Sequence, residues 1–206
     1  MDNLLDLGLK GGPFMIPLGL LFLYSLYLII ERYRYISRKA KVDRALMMNV
    51  QQNIKRGAFN EALQLVSTNQ SAFGTVMKEG IQAANSDATQ SQIEANMEKV
   101  ANIEIGMMEK NLGHLGLIAG IAPTLGFIGT ISGVIRIFYE ISESGNVGIK
   151  DISGGLYEKM VSSGAGLTVG IIAYSGYHLL NSLVDAYVLR IQKANMEFLK
   201  STENAH

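Results

Sequence analysis

The 206-residue sequence has no cysteine and no tryptophan, and only three prolines and three histidines. Without cysteine there is no disulfide framework, no thiolate nucleophile and no cysteine metal site, and the redox compartment stays undetermined. His114, His178 and His206 are too few and too scattered for a zinc cluster. Charge is scarce too, at 17% of residues against roughly 25% in an average soluble domain. A formal net charge of zero argues against a nucleic-acid partner, whose phosphates call for a basic surface. HExxH, GxSxG and Walker patterns are missing, and GAGLTVG at Gly164 to Gly170 misses the dinucleotide spacing by one residue, so no enzyme is expected.

The charge deficit is localised. Gly11 to Ile30, Asn111 to Ile135 and Met160 to Val184 contain no Asp, Glu, Lys or Arg, and the other 136 residues hold all 36 charges. Each window is at least the roughly 20 residues that a helix needs to cross a hydrocarbon core of about 30 Å. The expected fold is therefore an all-α membrane protein with three transmembrane helices.

Between Arg32 and Arg44 lie six Lys or Arg, whereas Lys10 stands alone before the first window beside Asp2 and Asp6. The positive-inside bias then puts the N-terminus outside and the C-terminus inside. The first apolar stretch runs straight into this basic cluster, as a retained anchor does and a cleaved signal does not. The expected organisation is an outer N-terminus over 1–12, a first span over 13–31, a cytoplasmic helical region over 32–112 and a second span over 113–139. A periplasmic loop follows over 140–152, then a third span over 153–184 and a cytoplasmic helical tail over 185–206. The basic stretch most simply meets anionic lipid heads.

The cytoplasmic region lacks proline and carries amphipathic stretches such as EALQLV and VMKEGIQAA, so it reads as helical, with breaks at Gly57, Asn85 and Ser86. Ser91 and Glu94 have capping-box spacing, which predicts one helix from about Ile93 through the second window to about Tyr139. The third helix should continue past Asp185 toward Leu199.

Fifteen of the 22 glycines lie between Gly106 and Gly176. The four-residue spacings Gly116 to Gly120, Gly129 to Gly133 and Gly166 to Gly170, with Pro123 and Gly126 between, predict close packing of the second and third helices. The same small faces are candidates for the wall of an oligomer's lumen. The first helix, rich in Leu, Ile, Tyr and Phe, reads as lipid-facing, and Tyr24, Tyr27, Tyr33 and Tyr35 as interfacial anchors.

Counted from outer helix ends at Tyr139 and Ser153, Thr130 and Ser163 both lie about 14 Å deep. Each hydroxyl either bonds back to its own helix or joins a shared polar ring at mid-membrane. Glu158, about 7 Å deep, is costly there as a carboxylate unless it meets water or a partner. Arg136 lies at a similar depth and has two candidate partners, Glu158 across the helix pair and Glu140 one turn on. Hydroxyls can relay or coordinate an ion but cannot store a proton, so a carrier carboxylate is needed. His114 and His178 fall near the inner boundary, as interfacial hydrogen-bonding groups.

AGIAPTLGFIGTISGVI, Ala119 to Ile135, resembles the IAPxLGLxGTVxGM signature of the MotA/TolQ/ExbB proton-channel family, and GLYEKMVSSGAGL, Gly155 to Leu167, resembles its IxxALxxTAxGL segment. The resemblance extends over nearly the whole chain and is nearest the three-helix ExbB branch, with TolQ next. It implies a bacterial inner-membrane homopentamer whose second and third helices surround a dimer of a single-span ExbD- or TolR-type partner. That partner carries a membrane-embedded Asp, and ion flow past it drives motion coupled to a TonB- or TolA-like protein. By the same resemblance Thr130 and Ser163 take the places of the lumen-facing threonines, and Glu158 that of the third-helix glutamate.

Two departures stand out: Ser163 replaces the threonine and follows Ser162, and Ile171-Ile172-Ala173 lacks a proline often found there. The extra room and oxygen would suit sodium as well as a proton, and no other cofactor is implied. The expected ion pathway is thus Thr130, Ser163, Glu158 and Ser162. A structural scaffold is the competing class; it accounts for the glycines but not for matched hydroxyls beside a carboxylate.

Overall fold

The computed structural model describes residues 12–86, 88–145 and 148–203, without the side chains of Ser144, Ile149, Lys150, Asp151 and Glu158. His206 and the residues bearing Asp2, Asp6 and Lys10 lie outside the described residues. Every regular element among them is helical: α1 Met15–Lys39, α2 Arg44–Lys55, α3 Phe59–Ser67, α4 Ala72–Asn85, α5 Gln90–Glu109, α6 Leu112–Ser144 and α7 Ile149–Glu203. Three helical stretches, which hold the second and third charge-free windows and the first from Met15 to Ile30, are long and apolar enough to cross a membrane.

Several element ends differ from the sequence expectation. The single helix expected from Ile93 to Tyr139 is broken, because Asn111 takes the left-handed conformation, φ 66°, between α5 and α6. Asparagine enters that conformation more readily than most residues with a side chain. The capping box closes two residues earlier than expected: Thr89 Oγ1 accepts from Gln92 N at 3.4 Å while Thr89 N donates to Gln92 Oε1 at 3.0 Å. α6 runs on to Ser144, where Gly145 at φ 61° ends it, and α7 begins at Ile149, so much of the expected loop over 140–152 is helical. The expected break at Gly57 is a left-handed turn between α2 and α3, and α4 ends at Asn85 as anticipated.

The chain divides into two compact units, residues 1–30 with 111–178, and residues 31–110 with 179–206. In the first, Leu18 of α1, Ile118 and Ala122 of α6, and Val169 and Ala173 of α7 form a buried cluster, flanked by Phe22, Leu125 and Ala165. Lipid tails are as apolar as these side chains, so within a bilayer the helices associate by close packing and interhelical hydrogen bonds. The opposite side of α1 presents Ile16, Leu20, Leu23, Tyr27 and Ile30 outward. Ser25 is fully buried, and its hydroxyl is satisfied by Phe22 O at 2.8 Å.

The second unit is an amphipathic assembly. Val50, Ile54, Phe73, Met77, Ile81, Met97, Met108, Tyr187 and Phe198 are all buried in it. Asp43 caps α2 by accepting from Ala45 N and Leu46 N, and Ser71 caps α4 by accepting from Gly74 N. Such caps satisfy backbone donors that a helix start leaves open, each contributing about 1 kcal/mol.

Part of the basic stretch is turned inward within this unit. Arg32 is buried, pairs with Glu31, donates to Met107 O at 3.0 Å and lies 4.7 Å over the Tyr35 ring. Lys39 approaches the buried carboxylate of Glu104 at 3.9 Å. Arg34, Arg38, Lys41 and Arg44 remain exposed for the surface role expected of all six.

Candidate functional site

The seam between α6 and α7 is built on residues with little or no side chain. A Cβ at Gly166 would stand 2.5 Å from Ala122 O and 3.0 Å from Gly126 Cα. One at Gly126 would stand 3.0 Å from Ser162 O and 3.1 Å from Ser163 Cα, and one at Gly170 would meet the Pro123 ring at 2.6 Å. These distances leave no space for a methyl group, so glycine is what lets the two antiparallel backbones touch. Gly116 faces the Tyr177 ring at 3.8 Å, whereas Gly120 opens onto free space. At Gly133 a Cβ would overlap the methylenes of Lys159, whose stem crosses the seam there.

Thr130 sits on this seam. Its Oγ1 lies 3.2 Å from both Gly126 O, on its own helix, and Lys159 O on α7, which share its single proton. Ser162 Oγ donates to the same Lys159 carbonyl at 3.0 Å and lies 2.9 Å from the Cβ position of Gly129. Both of the roles open to a membrane hydroxyl are therefore realised at Thr130, the bond back to its own helix and the bond across the pair.

The position of α1 divides the two sides of the seam. Phe14 reaches the Cβ position of Gly129 at 3.3 Å, and Ile29 fills the space beside Gly176. Thr130 follows Gly129 and Ser163 follows Ser162, so each is turned about 100° round its helix from a seam residue. Thr130 and Ser163 are half-buried, whereas Ser162 is fully buried. Among the described residues the Ser163 hydroxyl has no hydrogen-bond partner. Ser162 is thus a seam group.

Arg136 donates to Glu140 Oε1 at 2.9 Å, one turn on, with both side chains exposed. Of the two partners open to it, this is the local one; Glu158 lies on α7 with its side chain outside the described residues. Near the other end of the helices, Tyr24 Oη and His114 Nδ1 are 2.8 Å apart and join α1 to α6. The His178 ring packs on Tyr174 and Tyr177 at 4.3 and 5.2 Å between centroids. No group of three or more His, Asp or Glu that could hold a metal ion exists among the described residues.

Lys159 escaped the sequence reading. It contributes a backbone carbonyl, which carries no residue signature, and an aliphatic stem, which only the notch at Gly133 explains. A lysine beside Glu158 in a glycine-rich span was the available signal. Chemically, both Thr130 and Ser163 keep lone pairs able to accept from a hydrated proton or to ligate a cation.

Residues 68–193, which contain α6 and α7 as far as Lys193, match the MotA/TolQ/ExbB proton channel family. The chain belongs to that family. A biopolymer transport protein ExbB homolog from Methanothermobacter thermautotrophicus is 24% identical over 191 residues, 92% of this chain and 67% of its own length. The Tol-Pal system protein TolQ of Haemophilus influenzae is 26% identical over 89% of this chain and 86% of its own. The biopolymer transport protein ExbB of Helicobacter pylori reaches 36% identity, over 35% of this chain and 50% of its own. α1 precedes the matched residues, and the seam with Thr130, Lys159, Ser162 and Ser163 lies wholly inside them.

Proposed function

We propose that this membrane protein is the ExbB-like subunit of an ion-driven motor. Five copies surround a dimer of a single-span ExbD-like partner in the inner membrane and couple the proton motive force to TonB-dependent transport. The observation that carries the reading is the Thr130 hydroxyl, which bridges α6 to α7 beside the half-buried Ser163 within the residues that match a proton channel family.

In this reading the N-terminus is outside, and α6 and α7 turn the side bearing Thr130 and Ser163 toward the lumen while α1 faces lipid. A partner carboxylate takes up a proton, and Thr130 and Ser163 receive or pass it. Glu158 tunes entry from the outer side, with or without Arg136 as its counter-ion. The membrane potential contributes about 2.3 kcal/mol per charge per 100 mV, enough to release a neutralised carboxylate from its place on the wall. The transported ion is the proton; the burial of Ser162 in the seam removes one of the extra oxygens that would favour sodium.

The similarity to a TolQ protein over most of both chains supports a second reading, a Tol-Pal subunit with a TolR-like partner and a TolA-like client. Affinity purification from the native membrane tests both. The ExbB reading expects a single-span protein of the ExbD type at two copies per five of this chain, and Thr130→Ala to abolish energised uptake while the complex stays assembled. A TolR-type partner assigns the second reading, and a chain that purifies alone as a monomer overturns both.

A further inference from the structure

In the second unit the end of α1 and its connection to α2 run beside the connection from α3 to α4, and a depression of about 650 Å³ lies between them. That volume falls in the range of roughly 300–1,000 Å³ usual for small-molecule sites. Arg38 and Lys39, the last two residues of α1, and Lys41 just after it give the lining three cations. Asp43 is the one carboxylate among the lining residues.

The acceptors that Asp43, Asn69 and Ser71 bring to this lining are engaged within the chain, while its donors stay open. Asp43 Oδ1 accepts from Ala45 N and Leu46 N at 2.9 and 3.2 Å as the cap of α2. Asn69 Oδ1 accepts from Ser71 N and Ser71 Oγ at 2.9 and 2.5 Å, and Ser71 Oγ accepts in turn from Gly74 N at 3.2 Å. Lys39 leans to Glu104, 3.9 Å away. Arg38 and Lys41 are exposed, and among the described residues neither has an ion-pair or hydrogen-bond partner. A guanidinium and an ammonium are donors only, and the Asn69 and Gln70 amides add N–H groups beside them. The ligand that satisfies such a lining is anionic and rich in acceptor oxygens, and the planar fork of an arginine matches phosphate in particular.

Depth decides where the phosphate comes from. Arg38 stands eight residues past Ile30, the end of the first charge-free window. At about 1.5 Å per residue it lies about 12 Å along α1 beyond the hydrocarbon edge, whereas the headgroup layer is only about 5–7 Å deep on each side. We infer that the depression is a binding site for a water-borne compound with at least two phosphate groups, one for each open cation. Arg38 and Lys41 hold the phosphates, and the Asn69 and Gln70 amides complete their hydrogen bonds. Bound there, the anion bridges the end of α1 and the connection before α4. The inference rests on α1 crossing the membrane and on nothing in the ion pathway.

Isothermal titration calorimetry with inorganic pyrophosphate tests this on the full-length protein in phosphatidylcholine nanodiscs, at fixed ionic strength and in phosphate-free buffer. The expected result is saturable binding of about one pyrophosphate per chain, weakened by about tenfold or more when Arg38→Gln and Lys41→Gln are combined. Arg34→Gln removes an exposed cation of the same basic stretch that does not line the depression, and it should change the affinity by less than about twofold. Native mass spectrometry of the protein taken from membranes containing phosphatidylglycerol separates the two sources of phosphate: wild type and double variant should retain that lipid equally. Loss of the lipid from the double variant alone assigns the phosphate to a headgroup and overturns the water-borne ligand. No saturable binding of pyrophosphate, unchanged binding in the double variant, or equal weakening by Arg34→Gln overturns the site itself.

Discussion

Thr130 and Ser162, on different helices, donate to one acceptor, the carbonyl oxygen of Lys159, at 3.2 and 3.0 Å. The Ser162 bond is local to α7, whereas the Thr130 bond crosses from α6 and ties the two helices together at the level where Thr130 emerges from the seam. Because both hydroxyl protons are committed to backbone, what Thr130 has left to offer an ion is lone pairs.

Replacing Thr130 separates this structural bond from any transport role. Interhelical hydrogen bonds in membranes contribute about 0.6 kcal/mol on average. Thr130→Val should therefore lower the thermal midpoint of the purified protein only slightly, and Thr130→Ser less still, as differential scanning in detergent would report. A collapse of the fold in either variant contradicts the assignment of one shared bond.

The glycines of the seam should respond according to the space beside them. Gly166→Ala places a methyl 2.5 Å from Ala122 O, and overpacking of that kind costs about 1–3 kcal/mol. Gly164→Ala, where nothing lies within 4 Å, should leave the stability of the subunit unchanged or slightly raised. Chemical unfolding of the two variants in the same detergent checks the order, and equal losses would mean that the backbones do not touch as described.

Tyr187 offers a pH-dependent test in the second unit. Burial, and secondarily the nearby Glu104 carboxylate, push its phenol above the ordinary tyrosine range, and its hydroxyl is buried without a partner among the described residues. The native state then holds the phenolic proton more tightly than the unfolded chain. Stability from this group is fully present below about pH 10 and is lost as pH climbs past that value. Tyr187→Phe should flatten the alkaline loss and, by removing an unsatisfied buried hydroxyl, stabilise the protein by about 1 kcal/mol at neutral pH. Circular-dichroism melts at pH 7, 9 and 11 provide the comparison.

At the exposed Arg136 and Glu140 pair little should happen to the fold. Surface ion pairs contribute 0–1 kcal/mol, so Arg136→Gln should shift stability by no more than about 0.5 kcal/mol. A larger loss, accompanied by changed titration of Glu158, would mean that Arg136 also serves that carboxylate.

The spans were legible because a hydrocarbon core excludes charge, which the windows before Glu31, Arg136 and Asp185 record directly. Asn111 was not, since one left-handed residue interrupts a helix without disturbing the hydrophobic pattern around it. Thr89 and Ser91 both begin a capping-box spacing, with Gln92 and Glu94, and nothing local separates the two. Arg32 and Glu104 read as surface charges because burial of an ionised group depends on partners distant in sequence. At the site, depth counting brought out Thr130 and Ser163, but whether Ser162 faces the seam or the open side depends on the rotation of α7 and became clear only from its contact with Gly129.

The central claim is that ions pass along the wall bearing Thr130. Proton flux into proteoliposomes that hold the purified complex with its single-span partner, under a fixed pH gradient and membrane potential, measures it most directly. The account predicts that Thr130→Val lowers the flux by roughly tenfold or more, the equivalent of about 1.4 kcal/mol at the barrier, with the mass of the particle unchanged. Wild-type flux through an intact Thr130→Val complex would contradict it.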